Sequence, residues 1–328
     1  MILYLTVMTL IRPFRFAVQA HVGPGAPIPT TATAFTEMAR RAESLGYSTL
    51  FVGDHYIDRS RITQYLAPLT AMGIAAGVTS TLRIGARVFC IDYHVPAVLA
   101  KEVATLDVLS GGRVELGLGA GWNPVEYEAM GLTFDEAPAR VSKLEEVIAM
   151  FRAHFAGGDL DFRGDHVTAT GYAGLPLPVQ RPHPPIMIGG GRRRVLSIAG
   201  READIVSFAN VPVVPVDDEG RTPHDVAEQR LGWVRDAAGD RFDAIDIEAS
   251  PYFLAITDDP GSLLEAVAER FSAPVSTVVD HPNVLAGTER EVADQLIERR
   301  ERYHVNYVTV PEAQLDAFAP IAERLAGT

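Results

Sequence analysis

The pair Asp54-His55 is suited to proton chemistry, since an acid and an imidazole lie side by side at the end of a predicted strand. A carboxylate there can accept a hydrogen bond from a ring N–H, and an imidazole can exchange a proton or donate to a carbonyl near neutral pH. The pair therefore predicts a catalytic site. The alternative is that Asp54 caps the next segment and His55 is a solvated loop residue.

A second candidate is a glycine run between a predicted buried strand and a helix, followed at once by arginines: Gly189, Gly190, Gly191, Arg192, Arg193 and Arg194. Glycines let the backbone approach a ligand closely, and the N–H groups and dipole at a helix start attract anions. The pattern predicts a phosphate clamp. A tight turn with solvated arginines is the alternative.

The third candidate is Gly119-Ala120-Gly121-Trp122, directly after another predicted strand. Small residues at this place can make room for a flat ring. Trp122 would then form a wall of that space, although it could also be an ordinary core aromatic residue. Taken alone, the glycine spacing is only weakly diagnostic of a phosphate loop.

Eight short apolar runs, separated by stretches of helical periodicity, predict the strands that position these residues. They are residues 14–19, 49–53, 82–89, 114–118, 185–189, 205–208, 250–256 and 307–310. This alternation predicts an α/β fold, a (β/α)8 TIM barrel, with an open doubly wound sheet as competitor. Residues 157–184 and 211–244 interrupt the alternation of strands and helices and are interpreted as insertions. In a barrel the strand ends meet at one rim, where enzymes of this fold place their sites.

Composition narrows the classes of function. The chain has 29 basic and 42 acidic residues, a net charge of −13, which argues against nucleic acid or an anionic membrane as partner. Cys90 is the only cysteine, so an internal disulfide is impossible. The sequence has no HxxxH motif with a nearby carboxylate, which argues against a catalytic metal. It has no GxSxG motif to mark a serine nucleophile, and no lysine follows a predicted strand, where it could form a Schiff base.

The apolar stretch at residues 1–11 is too short to span a bilayer, which needs about 20 residues. It lacks the charged start of a signal peptide. We therefore expect residues 1–12 to be an extension, with a membrane anchor as the less favoured alternative. Residues 13–328 are expected to form one domain of a cytoplasmic enzyme.

Several longer stretches resemble the luciferase-like flavin/deazaflavin barrel superfamily. They are GDHY (53–56), HVPAVLAKEVATLDVLSGGRVELGLGAGW (94–122), PIMIGGG (185–191), ADIVSF (203–208) and VLAGTEREVADQLIERRERY (284–303). The sequence is most similar to the actinobacterial subgroup of oxidoreductases that use coenzyme F420, a 5-deazaflavin with a phosphate and an oligoglutamate tail.

The resemblance implies roles for individual residues. Asp54 and His55 would face the deazaflavin ring and carry the catalysis, with His21 and Trp122 shaping the substrate side. Val88, Phe89 and Cys90 match a bulge after the third strand that supports one face of the ring and often contains a non-prolyl cis peptide. The cofactor contacts that the resemblance implies are Asp54, His55, Val88, Phe89, Cys90, Gly189, Gly190, Gly191 and Ala209. The residue patterns described above add Gly119, Gly121, Trp122 and Arg192 as expected contacts.

One departure from the family pattern concerns the substrate. F420-dependent sugar-phosphate dehydrogenases of this superfamily have a glutamate where this chain has Trp122, which argues against a sugar-phosphate substrate.

Three functions stay open. The favoured one is F420-dependent hydride transfer to or from a small molecule, either an alcohol or carbonyl or an activated double bond. The second is an FMN-dependent monooxygenase supplied by a flavin reductase, and the third is a non-catalytic flavin-binding barrel. The resemblance also implies a homodimer.

Overall fold

The computed structural model describes residues 12–20, 32–57, 65–213 and 221–328. Within them the strands are β1 (Arg15–Ala20), β2 (Thr49–Val52), β3 (Arg83–Ala86), β4 (Phe89–Cys90), β5 (Val114–Gly119), β6 (Asp159–Arg163), β7 (Thr168–Ala173), β8 (Ile186–Gly190), β9 (Ile205–Phe208), β10 (Asp246–Ala249), β11 (Phe253–Ile256), β12 (Val284–Gly287) and β13 (Val305–Pro311).

Eight of these strands form a closed parallel barrel in the order β3-β2-β1-β13-β10-β9-β8-β5, and a β3–β5 pairing closes the ring. The short strand β4 continues β3 and pairs with the end of β5, where Cys90 is the partner of Gly119. The predicted TIM barrel is thereby confirmed. Because all eight strands are parallel, their carboxyl ends meet at one rim.

Helices cover the outside of the barrel. They are α1 (Ala32–Ser44), α2 (Pro68–Val78), α3 (Pro96–Ser110), α4 (Pro124–Ala129), α5 (Ala137–Ala156), α6 (Arg193–Glu202), α7 (Pro223–Ala238), α8 (Gly261–Phe271), α9 (Val275–Val279), α10 (Glu289–Tyr303) and α11 (Leu315–Leu325). Helix α10 begins with a capping box of Thr288 and Glu291. Among the helices described, none is both long and apolar enough to cross a membrane.

The core has two layers. Inside the barrel a small cluster contains Ala17, Phe51, Met187, Ile205 and Tyr307. The larger core lies between the outer faces of the strands and the helices. In β1, for example, Phe16 and Val18 point to this outer layer. The alternation follows from the two-residue period of a strand.

The predicted seventh strand, residues 250–256, is wrong. The barrel strand is β10, which carries the charged residues Asp246 and Glu248, both buried. The apolar segment β11 instead pairs with β12 in a separate two-stranded sheet. The buried charges of β10 therefore hid this barrel strand in the sequence. The apolar run predicted as the seventh barrel strand belongs to β11, which lies outside the barrel sheet.

The interpretation of residues 211–244 as an insertion is also wrong in its main part. Residues 223–238 form the regular barrel helix α7, which begins with a Thr222–Asp225 capping box. Its mostly polar sequence obscured the helical period. The other proposed insertion, 157–184, contains the antiparallel hairpin β6–β7 between α5 and β8.

Glu43 ties α1 to the loop before β3 through hydrogen bonds to the backbone. One carboxylate oxygen accepts the backbone N–H groups of Ser80, Thr81 and Leu82 at 2.6–3.0 Å. Burial alone would raise the pKa of Glu43, but these hydrogen bonds outweigh it and lower the pKa to about 2.

We expect E43Q to unfold at lower urea concentration than wild type at pH 6. A depressed pKa in the folded state stabilises the protein above the unfolded pKa of about 4.5, and this contribution is lost as pH falls towards 2. The gap between the two urea midpoints should therefore narrow between pH 5 and about pH 3. E37Q, an exposed change on the same helix, controls for loss of a charge. A gap that is constant with pH would contradict the assignment.

Candidate active site

A cleft of about 670 Å³ opens at the carboxyl rim of the barrel. Its walls come from the segments that follow β2, β3, β5, β8 and β9. The sequence-predicted residues that line it are Asp54, His55, Val88, Cys90, Gly119, Gly121, Trp122, Gly189, Gly190, Gly191, Arg192 and Ala209. Segments distant in sequence therefore meet at one place, on the same side as the glycine turn and the acid–imidazole pair.

One predicted position, Phe89, does not line this cleft. The Phe89 side chain is completely buried in the core, where its ring meets the edge of His94 at a centroid distance of 5.3 Å. It faces the outer layer between strands and helices, away from the cleft, because neighbouring residues of a strand point to opposite sides. His21 lies outside the described residues. The non-prolyl cis peptide that the resemblance implied is present between Arg87 and Val88.

Asp54 is held at the end of β2 by two hydrogen bonds to one of its oxygens. The Cys90 backbone N–H donates to Oδ2 at 2.9 Å, and His94 Nε2 lies 2.8 Å from the same atom. The other oxygen, Oδ1, is buried and has no hydrogen-bond partner among the described residues. A buried carboxylate oxygen without a donor is costly, so this atom is available to a ligand in the cleft.

His55 contacts the carboxylate of Glu126, whereas the carboxylate of Asp54 contacts His94. Nδ1 of His55 lies 3.0 Å from Oε2 of Glu126, a residue of α4. The ring packs edge-on against Trp122 at 6.1 Å and tilted against Tyr65 at 5.3 Å. The side chain is one-third exposed, which keeps it accessible from the cleft.

Glu126 is buried and accepts several hydrogen bonds. Oε1 accepts the backbone N–H groups of Tyr56 and Ile57 at 2.9 and 3.3 Å, and Oε2 accepts the Tyr93 hydroxyl at 3.2 Å. Burial opposes ionisation, but the hydrogen bonds from His55 and from these N–H groups outweigh it and lower the pKa of Glu126. Glu126 is therefore ionised at neutral pH.

Val88 occupies the floor of the cleft where glycines leave room for it. A Cβ atom at position 119 would lie 2.7 Å from Val88 Cγ2, and one at position 189 would lie 3.2 Å from Cγ1. Gly119 in β5 and Gly189 in β8 therefore both make room for the same side chain, that of Val88. Larger residues at these positions would push Val88 into the cleft.

Gly121 has a positive φ of 73°, and a Cβ there would lie 1.9 Å from the hydroxyl oxygen of Tyr127. That hydroxyl donates to Asp92 at 2.7 Å and lies 3.2 Å from the Cys90 sulfur. The tight turn places Trp122 at the cleft with 72% of its surface exposed, so Trp122 is not a core residue.

Basic side chains gather near the glycine turn. Arg192 and Arg193 are exposed and have no ion pair within the described part of the chain, whereas Arg194 pairs with Glu145 at 2.9 Å. Arg140 also lines the cleft and donates to the Ala120 carbonyl at 3.1 Å. This end of the cleft is therefore positively charged in an otherwise acidic protein.

Sequence reasoning missed Arg87, His94, Glu126 and Arg140. Arg87 lines the cleft and is fixed by Glu248 at 2.9 Å and by Gln19 at 2.8 Å. His94 opens the long 94–122 stretch, so its position there was the available signal. Glu126 gave none, because its contact with His55 joins segments 71 residues apart.

The fold and the position of the cleft are those of a (β/α)8-barrel enzyme. Residues 11–319 match the family described as luciferase-like monooxygenase. The match covers most of the chain, which therefore belongs to this family of oxidoreductases, and the resemblance seen in the sequence is confirmed.

Individual relatives use two kinds of cofactor. The F420-dependent glucose-6-phosphate dehydrogenase of Amycolatopsis mediterranei is 33% identical over 174 residues, covering 51% of this chain and 50% of the relative. The FMNH(2)-dependent dimethylsulfone monooxygenase of Pseudomonas putida is 35% identical over 109 residues, covering 33% and 30%. Each alignment thus covers less than two-thirds of the relative's own length.

Among solved structures, the coenzyme F420-dependent tetrahydromethanopterin reductase of Methanopyrus kandleri superposes with a TM-score of 0.73. It is 19% identical, with 96% of this chain and 98% of the other covered. This similarity supports the fold.

Proposed function

We propose that this protein is an F420-dependent oxidoreductase that transfers hydride between the deazaflavin and a small organic substrate in the cytoplasm. The observation that carries the proposal is that the Asp54-His55 pair and the glycine turn line one cleft. A phosphorylated tricyclic coenzyme needs both features: polar groups beside its ring and a close backbone approach to its phosphate.

The residues beside the ring position fit a flavin or deazaflavin. Asp54 Oδ1 is buried and lacks a donor among the described residues, so it would accept a ring N–H. Val88, seated on Gly119 and Gly189, would support one face of the ring. These features do not distinguish F420 from FMN.

The charge at the phosphate end favours F420. The glycine turn offers backbone N–H groups at the start of α6, and Arg192 projects beside it without an ion pair in the described ranges. FMN ends at its phosphate, whereas F420 continues into a tail of carboxylates. An unpaired arginine beyond the phosphate position complements that tail.

The coenzyme, when bound, supplies a carbon that accepts or donates hydride. The chain's own residues then bind, orient and exchange protons. Asp54 orients the ring, while His55 exchanges a proton with the substrate or polarises its carbonyl. Trp122 forms a wall of the substrate side and reduces access of water.

The second candidate is an FMN-dependent monooxygenase acting with a separate flavin reductase. The similarity to the dimethylsulfone monooxygenase favours it, and Asp54 and the glycine turn are compatible with either coenzyme. In both cases we propose a small-molecule substrate, and we further propose a homodimer.

Titration of the purified protein with oxidised F420 and with FMN tests the choice of coenzyme. We expect F420 to bind at least about tenfold more tightly, a difference of about 1.4 kcal/mol. R192Q should weaken F420 binding about fivefold and FMN binding less than twofold, since Arg192 is assigned to the tail. Fluorescence titration followed by gel filtration measures both.

R201Q is the matched control, because Arg201 lies on the same helix but does not line the cleft. It should bind both coenzymes as wild type does. Tight FMN binding with negligible F420 binding would reverse the order of the two candidates. Failure to bind either coenzyme would overturn the proposal.

A further inference from the structure

Glu126 reaches His55 from a helix that sequence reasoning did not identify. Helix α4 begins after Asn123, whose side chain accepts the Val125 N–H at 3.3 Å. Glu126 is in its first turn and is 1% exposed. The short helix therefore serves to hold one carboxylate against the imidazole at 3.0 Å.

The hydrogen bonds to Glu126 decide which nitrogen of His55 carries the proton. An ionised carboxylate only accepts, and both of its oxygens already receive donors from Tyr56, Ile57 and Tyr93. His55 Nδ1, which faces the same carboxylate, must then be a donor. In the neutral imidazole this leaves the lone pair on Nε2.

Nε2 of His55 has no hydrogen-bond partner among the described residues, and the ring lines the cleft. The ionisable groups in the described residues that contact the His55 ring or line the same cleft belong to several segments: Asp54, Tyr65, Arg87, Cys90, Tyr93, Glu126, Arg140, Arg192 and Arg194. Of these, Glu126 is the group that makes a hydrogen bond to the imidazole itself.

We propose that Glu126 is a positioning residue that holds neutral His55 in the Nδ1–H form, so that Nε2 accepts the substrate proton. The inference rests on the proposed function for the identity of the reaction. In the oxidation of an alcohol, the substrate O–H bond would break, its proton would move to Nε2 of His55, its electron pair would complete the carbonyl, and the hydride would pass from the substrate carbon to the bound oxidised coenzyme. Reduction reverses each change.

E126Q provides a sharp test, because the surrounding donors fix the orientation of the new amide. Its oxygen must face the N–H groups of Tyr56 and Ile57, so its NH2 group points towards His55 Nδ1. Nδ1 must then accept, and the proton moves to Nε2. The substitution should therefore reverse the tautomer with little change in shape.

The measurement is ¹⁵N NMR of the imidazole in coenzyme-free protein, with H55N used to assign the signal. Neutral His55 should be Nδ1–H in wild type and Nε2–H in E126Q. E128Q, an exposed change on the same helix, should resemble wild type. If neutral His55 is found as Nε2–H in the wild-type protein, that result alone overturns the inference. If E126Q has the same tautomer as wild type, the inference is overturned as well.

Kinetics provide a second readout. E126Q should lower kcat by about 10²–10³-fold while the Kd for F420 changes less than about twofold, since a wrong tautomer removes the proton acceptor but not the coenzyme contacts. If wild-type protein does not bind F420, the proposed function fails, yet the tautomer measurement still decides the role of Glu126. Equal kcat in E126Q and wild type would contradict a positioning role.

Discussion

Replacing His55 by asparagine should lower kcat for F420-linked turnover by about 10²–10⁴-fold, the range typical of a lost proton-transfer group. His55 lines the cleft, is one-third exposed and is held by Glu126. The coenzyme's proposed contacts to Asp54 and to the glycine turn remain in H55N. We therefore expect the Kd for F420 to change less than about threefold. Single-turnover absorbance changes of the bound coenzyme measure the chemical step separately from binding.

H304N is the matched control for this change. His304 ends α10 with a positive φ of 58°, a conformation that asparagine tolerates well, and it does not line the cleft. It should retain wild-type kcat. If H55N also kept kcat within about threefold of wild type, His55 would not be the proton partner. A protein that bound F420 but turned over no reductant would instead agree with a non-catalytic barrel.

The regular parts of the barrel could be predicted because their apolar runs are uninterrupted. Strand β9, for example, was predicted with the bounds it has. Strand β10 was missed because two of its four residues, Asp246 and Glu248, are acidic and buried. Their charges are offset by arginines from elsewhere in the chain, which no local pattern reveals.

The site was predictable in part, and for a physical reason. Residues that follow parallel strands must meet at one rim, so the convergence of Asp54, the 119–122 turn and the glycine run followed from the fold. The roles of these residues remain predictions. Glu126 could not be found in this way. The sequence of a short helix after a strand does not indicate which of its side chains points towards the cleft.

A second group of buried charges lies inside the barrel near Arg15, well apart from the acid–imidazole pair. The Glu115 side chain is completely buried and pairs with Arg15 and, at 2.7 Å, with Arg83. Its second oxygen accepts the Tyr307 hydroxyl at 2.9 Å, and burial raises the pKa of Tyr307 well above its usual value, so this phenol stays protonated. Four strands, β1, β3, β5 and β13, are joined through this one carboxylate.

Replacing Glu115 by alanine should therefore lower the free energy of unfolding by about 3 kcal/mol. Removing one partner of a buried ion pair weakens the compensation of the remaining charges, and here two arginines and a buried hydroxyl lose the Glu115 carboxylate at once, although Arg15 keeps its pair with Asp246. D316A is the comparison, because the Arg41–Asp316 pair has side chains 53% and 69% exposed and should contribute less than about 1 kcal/mol. Urea unfolding of both variants at neutral pH measures the difference. Equal losses would mean that Glu115 does not stabilise the barrel through its charge.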